Sequence, residues 1–94
     1  MIKGFHDKHT EALFKLVTCH RKWRSFERIA LRKLNMVHAA TVLNDLKSPP
    51  GNRLEALAGN RLGQQSIRIN DQYRMCFIWK DGDVYAVEIT DYHK

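Results

Sequence analysis

The chain has 94 residues, 44% hydrophobic and 28% charged, a globular mixture that excludes a disordered polyelectrolyte and predicts one domain over residues 1–94. Sixteen lysines and arginines against ten acidic residues give a net charge of +6, which suits a polyanion, a membrane surface or an acidic protein partner. Cys19 and Cys76 form neither a disulfide framework nor a Cys-x-x-Cys pair, Met1–Phe5 is too short and too polar downstream for a signal peptide, and no stretch approaches the roughly 18 apolar residues of a membrane span, so a reducing cytoplasm is expected.

Residues Ile2 to Phe5 suit a short strand. Asp7 offers a helix start, and Ala12, Leu13, Leu16 and Val17 then recur at helical spacing. Cys19 to Arg24 is polar and basic and reads as a connection. Ser25 is a candidate N-cap, with Glu27 well placed in the first turn. From Phe26 to Leu46 the set Phe26, Ile29, Ala30, Leu34, Val37, Ala40, Thr41 and Leu43 keeps a helical period, which predicts one long helix. Lys47-Ser48-Pro49-Pro50-Gly51 ends it, because proline cannot continue the hydrogen-bond ladder.

The second half changes period. Gln65 to Asn70 alternates, with Ile67 and Ile69 on one face and Ser66, Arg68 and Asn70 on the other. Tyr73 to Trp79 is apolar on both faces, as in a central strand, and Arg74 interrupts it. Asp81-Gly82 predicts a tight hairpin turn, and Val84 to Ile89 the antiparallel strand that follows. Two amino-terminal helices packed on one face of a small antiparallel sheet give an α+β domain. Gly51-Asn52-Arg53-Leu54 returns as Gly59-Asn60-Arg61-Leu62. So short a string is coincidence or a pair of similar turns, not a structural repeat.

Four residues carry candidate chemistry. A guanidinium at Arg74 presents a planar donor fork to phosphate oxygens; its plainer reading is a half-exposed arginine paired with Asp91 or Glu88 on the next strand. His93 titrates near neutrality and suits acid–base work, against the plainer reading of a frayed chain end. Asp91 and Tyr92 before it supply an orienting carboxylate and a ring that stacks on a base. Arg53, Arg61 and Arg68, with Lys94 at the end of the chain, form a basic series that either tracks a nucleic-acid backbone or is a solvated face. His6 and His9, and Cys19 beside His20, have no zinc-binding spacing, so neither a metal nor a cofactor is expected. Gly-rich phosphate loops and Gly-x-Ser-x-Gly are absent from the sequence.

The stretch Leu57-Ala58-Gly59-Asn60-Arg61-Leu62-Gly63-Gln64-Gln65-Ser66-Ile67-Arg68-Ile69-Asn70, with Tyr73-Arg74-Met75, the closing Asp91-Tyr92-His93 and the opening Met1–Phe5, resembles the HigB-like branch of the RelE/ParE toxins. The resemblance covers essentially the whole chain and is most specific in its last third. It implies a small sheet with helices on one side, and an endoribonuclease that cuts mRNA on the ribosome. It also implies a cognate antitoxin with a helix-turn-helix, through which alone operator DNA is bound. The family's functional arginine falls on Arg74, and its carboxy-terminal acidic, aromatic and histidine positions on Asp91, Tyr92 and His93. Some relatives carry a histidine and a lysine just before the Gly59 position, where this chain has Glu55 and Ala58.

Two other functions fit the same residues. One is a toxin of the same fold that poisons a non-RNA target such as a topoisomerase. The other is a plain RNA- or partner-binding module with an inert tail.

Overall fold

The computed structural model describes residues 1–91. Helix α1 spans Lys8–Phe14 and starts where the sequence places it. Asp7 is extended, and its carboxylate accepts from the Thr10 amide at 2.7 Å. The helix closes earlier than its apolar spacing predicts. Val17 N–H donates to Ala12 C=O at 2.9 Å, a six-to-one closure, and Leu16 sits in the left-handed region at φ 61°. Glycine is the usual occupant of that position, because a Cβ there meets the following carbonyl. Periodicity shows which residues are apolar, not whether a surface exists to receive them. Leu13 reaches the core, whereas Leu16 and Val17 are each 74% exposed.

The polar connection carries structure of its own. Arg21–Phe26 is a 3₁₀ helix whose Trp23 and Phe26, three residues apart on one face, are both buried. Ser25 lies inside that turn, so it does not cap α2, which spans Glu27–Ala39 and starts from Phe26 without a side-chain cap. The long helix expected to Leu46 also breaks. Ala40 turns extended, and the Asp45 carboxylate accepts from the Thr41 and Val42 amides at 3.0 and 3.3 Å. Local capture of this kind competes with the helical ladder. Those backbone bonds hold the Asp45 carboxyl below its ordinary value. A second 3₁₀ helix, Leu43–Lys47, carries the buried Leu46.

The sheet has four antiparallel strands in sequence order, β1 (Glu55–Ala56), β2 (Gln65–Arg68), β3 (Tyr73–Lys80) and β4 (Asp83–Asp91). The α+β reading holds, and β3 is interior as its two apolar faces imply. Asp81 and Gly82 join β3 to β4 with φ of 52° and 82°, the two-residue turn that matches strand twist. The sequence missed β1, which at two residues is too short to show a period. Ile2 and Phe5 form no strand of their own but bridge in parallel to Val84 and Val87 on the outer side of β4.

One face of the sheet receives the helices. Leu13, Ala30, Leu34 and Val37 pack with Ile67, Met75, Phe77, Val84 and Val87, all at 2% exposure or less. Burying each large aliphatic side chain contributes about 1.5–3 kcal/mol. Buried Thr10 ties α1 to β4, its hydroxyl accepting from the Ile89 amide at 3.2 Å. Pairing of β3 with β4 slips between Cys76↔Glu88 and Ile78↔Tyr85, so Phe77 faces both Ala86 and Val87. Ala86 takes a φ of 53° at this bulge. The extra residue keeps Val84 and Val87 in the core while Tyr85 and Glu88 share the opposite face.

Replacing Leu16 with glycine should stabilise the chain. It removes a left-handed Cβ penalty of about 1–2 kcal/mol and gives back about 0.5–1 kcal/mol in unfolded-state freedom. Urea unfolding of Leu16→Gly is expected to show a gain of about 0.5–1 kcal/mol.

Candidate functional site

The uncovered face of the sheet is built by alternation. On β3 the helices take Met75 and Phe77, which leaves Arg74 and Cys76 facing the other way. Pairing then sets their neighbours. Arg68 and Thr90 flank Arg74 on the adjacent strands, and Ser66 and Glu88 flank Cys76. Glu55 lies beyond Ser66 on β1.

Arg74 is held from three sides. Its Nε donates to Ser66 Oγ at 2.9 Å and its Nη2 to the Arg53 carbonyl at 2.9 Å. Among the described residues its carboxylate is Glu55, at 3.6 Å, rather than the Asp91 or Glu88 that the sequence offered. The side chain is only 13% exposed, so the guanidinium plane is fixed rather than swinging. Glu55 thus helps to hold the Arg74 guanidinium in place.

Glu88 has a different partner. It accepts from Arg61 Nη1 at 3.0 Å and lies 3.7 Å from His6 Nε2. Arg61 also donates to the Gln64 side chain at 3.0 Å. Sequence reasoning missed this group, because its members come from the amino-terminal segment, a turn and β4. The cations Arg61 and Arg74 both act on Cys76. Burial pushes its thiol up, with the Arg61 cation acting in the opposite direction.

Arg53 owes its position to the turn before it. Pro50–Asn52 forms one 3₁₀ turn, after which Arg53 takes a φ of 47°. Asn52 is fully buried; its Oδ1 accepts from Lys33 Nζ on α2, and its Nδ2 donates to the Leu46 and Ser48 carbonyls at 3.1 and 3.3 Å. Burial, and after it the cations Arg32 and Arg68, push Lys33 below its ordinary value. The second Gly-Asn-Arg-Leu is also a 3₁₀ turn, Gly59–Arg61, but its Asn60 is exposed. The two strings are similar turns, and only the first is anchored.

Two arginines of the basic series reach the face of Arg74: Arg68 lies opposite it across the strands and Arg61 stands with Glu88, while Arg53 touches it through its backbone carbonyl. Like charges directly opposite repel, and the cost is offset because Arg68 also pairs with Asp71 and Arg74 with Glu55. Asp91 is set differently. It lies opposite Tyr73, whose ring packs on Phe26 on the helix side, and accepts from Gln72 Nε2 at 2.9 Å. Register therefore puts Asp91 and Arg74 on opposite faces of the sheet. Tyr92, His93 and Lys94 lie outside the described residues. Among the described residues no group of three or more His, Cys, Asp or Glu side chains could hold a metal ion.

Residues 3–93 match the model of the HigB-like toxin family, described as the RelE-like toxin of the type II toxin–antitoxin system HigB. The chain is 46% identical over 83 residues to "Toxin HigB-1" of Vibrio cholerae serotype O1, covering 87% of each chain. It is 34% identical over 94 residues to "Endoribonuclease HigB" of Proteus vulgaris, covering 99% of this chain and 100% of that one. Among solved structures, a YafQ mutant from E. coli superposes with a TM-score of 0.67 at 11% identity, over 97% of this chain and 93% of that one, which is a likeness of fold.

Anchorage of the loop through Asn52 is testable. Asn52→Ala leaves the Lys33 ammonium and two carbonyls without their partner, and should lower the urea unfolding free energy by at least about 2 kcal/mol. Adding Lys33→Met removes the stranded donor, so the double variant should lose less than the sum of the single losses.

Proposed function

The chain belongs to the HigB-like family of RelE-like toxins, and from that premise we propose that it stops growth by cutting mRNA on the ribosome, with Arg74 as the phosphate-binding cation. It is the toxin of a type II toxin–antitoxin system and an endoribonuclease, and its partner is an antitoxin. The observation that carries the site is the clamped Arg74, 13% exposed on the open face, with Arg61 and Arg68 on the same face and the Arg53 carbonyl on its Nη2.

The chemistry proposed is transfer within the RNA. The ribose 2′-oxygen attacks the neighbouring phosphorus, a bond to the 2′-oxygen forms, and the bond to the 5′-oxygen breaks. The products are a 2′,3′-cyclic phosphate and a free 5′-hydroxyl. One group takes the 2′-proton and one protonates the departing 5′-oxygen, roles that fall to Asp91 and His93. Arg74 stabilises the added negative charge on the phosphorane, and the series Arg53, Arg61, Arg68 and Lys94 holds the backbone on either side. Tyr92 stacks on a splayed base. Asp91 lies on the face opposite Arg74, so its part in this scheme requires it to reach the phosphate around the end of its strand. So few groups suffice if the ribosome orients the message, because orientation supplies a large part of the barrier reduction. The site of action is then the cytoplasm, and the antitoxin carries the helix-turn-helix that binds operator DNA.

Arg74→Ala should keep its far-UV circular dichroism and lose growth inhibition. Cleavage of a defined message on purified ribosomes should fall by about 10²–10³, the usual loss when one preorganised donor is removed. Arg74→Lys should not restore it, because an ammonium lacks the planar fork. A folded Arg74→Ala chain that remains fully toxic would make Arg74 structural.

Deleting Tyr92, His93 and Lys94 removes the imidazole and the stacking ring and leaves Arg74 and Asp91. Primer extension should then show cleavage reduced by about 10² or more. Unchanged cleavage would exclude the tail from the chemistry. Unchanged toxicity without RNA products would point instead to a non-RNA target.

A further inference from the structure

Strand register sets three rows across the open face of the sheet. In the first row Arg74 lies between Arg68 and Thr90. In the second Cys76 lies between Ser66 and Glu88, and Arg61 reaches in from the turn before β2 to donate to Glu88 at 3.0 Å. In the third Ile78 pairs with Tyr85. The bulge at Ala86 brings Tyr85 to this side, while Val84 and Val87 on either side of that pair of residues are fully buried against the helices. Ile78 and Tyr85 are 37% and 38% exposed. An aliphatic side chain and an aromatic ring therefore stand together on the face that carries Arg61, Arg68 and Arg74.

Single-stranded RNA has charge on its phosphates and flat apolar faces on its bases. It is held by cations that track the backbone, interleaved with rings that take the bases. The three rows present that order: the Arg74 guanidinium, then that of Arg61, then the ring of Tyr85. From Arg74 to Ile78 is four residues of β3, about 13 Å along a strand and within the span of a few nucleotides. Glu88 is the carboxylate of the middle row. It is mostly buried, with Arg61 on one oxygen and His6 Nε2 3.7 Å from the other, so its charge is already answered. The plainer use of Tyr85 is its cross-strand contact with Ile78. An aliphatic side chain would supply that contact without leaving a ring exposed. A protein segment could also cover an apolar pair. Continuity with the row of Arg74, where the scissile phosphate is placed above, favours nucleic acid.

We propose that Tyr85 is a base-stacking subsite: a base of the message a few nucleotides from the cut lies flat on its ring, with Ile78 beside it and Arg61 on the phosphate between. The proposal rests on the mRNA-cleavage reading above and adds the path of the message. It runs along β3 and β4 from the row of Arg74 toward the Asp81-Gly82 hairpin. A ring this far from the reacting phosphate contributes to binding and not to the chemical step. Its loss therefore raises KM and leaves kcat unchanged. Such a platform accepts any base, because every base has a flat face.

The test follows cleavage of a defined message on purified ribosomes, with the concentration of programmed ribosomes varied. Tyr85→Leu keeps an aliphatic contact with Ile78 and loses the ring. It should raise KM about tenfold, the scale of one stacked base, and leave kcat within about twofold. Tyr85→Phe and Tyr85→Trp should cleave as wild type does, because the ring is used and the hydroxyl is not. An abasic nucleotide, placed in turn at each message position around the cut, locates the base. At one position it should cost the wild type about tenfold in KM and cost Tyr85→Leu nothing further, a coupling that a merely structural tyrosine would not show. A 4-thiouridine at that position should cross-link to Tyr85 of the wild-type chain, a readout that needs no folded variant. Wild-type chain that makes no RNA products on ribosomes would remove the mRNA reading and the subsite with it. Wild-type cleavage with Tyr85→Leu at the wild-type KM, equal abasic losses in both chains, or cross-linking only elsewhere would overturn the subsite and leave that reading standing. If Tyr85→Leu cleaves normally but no longer binds the antitoxin in titration calorimetry, the pair belongs to the protein partner and the proposal falls.

Discussion

Asn52 has no exposed surface, and its side chain accepts from Lys33 Nζ while donating to the carbonyls of Leu46 and Ser48. That set of bonds fastens the turn after the two prolines to the middle of α2. The turn in turn sets Arg53 in a left-handed conformation with its carbonyl on Arg74, and leads into Glu55, which pairs with the same cation. The position of the central guanidinium thus depends on one buried amide. A buried ammonium is tolerable only with a well-placed acceptor, and burial together with the cations Arg32 and Arg68 already pushes Lys33 below its ordinary value. The arrangement couples the helix layer to the open face through polar contacts rather than through packing alone.

The sheet separates two kinds of work. Its covered face is aliphatic and aromatic, and joins Met75, Phe77 and Ile67 to the helices. Its open face holds cations, each beside a carboxylate or a carbonyl. The bulge at Ala86 makes this division possible along the whole of β4. With regular pairing, Tyr85 and Glu88 would fall on opposite faces, and one of them would point into the core. The extra residue brings Glu88 to the side where Arg61 and His6 meet it. A single strained alanine therefore sets both the packing of the core and the charge pattern above it.

The helix layer has its own division. Leu13 and Thr10 of α1 fasten it to the sheet, while the closing turn of the same helix presents Leu16 and Val17 to solvent. Other aliphatic side chains outside the core, such as Val42 and Leu62, are scattered, whereas Leu16 and Val17 are adjacent.

The amino-acid sequence by itself determined the fold class, the interior place of β3, the hairpin at Asp81-Gly82 and the start of α1. These depend on local chemistry: alternation of apolar residues, the left-handed tolerance of an Asp-Gly pair and a carboxylate at a helix start. The resemblance carried in Gly59–Asn70, Arg74 and the last residues pointed to the family. Arg74 was legible as a cation inside an apolar strand. Its partner was not, because Glu55 arrives on a two-residue strand with no period to read. Tertiary structure also decided where α1 ends, since no surface receives Leu16, while α2 ends through a local capture of the Thr41 and Val42 amides by Asp45 that apolar spacing does not register. It put Asp91 on the register of Tyr73 rather than of Arg74. Periodicity reports what a segment can bury, whereas strand register and bulges depend on partners far away in the chain, and the capture of two amides by Asp45 is local but carries no period.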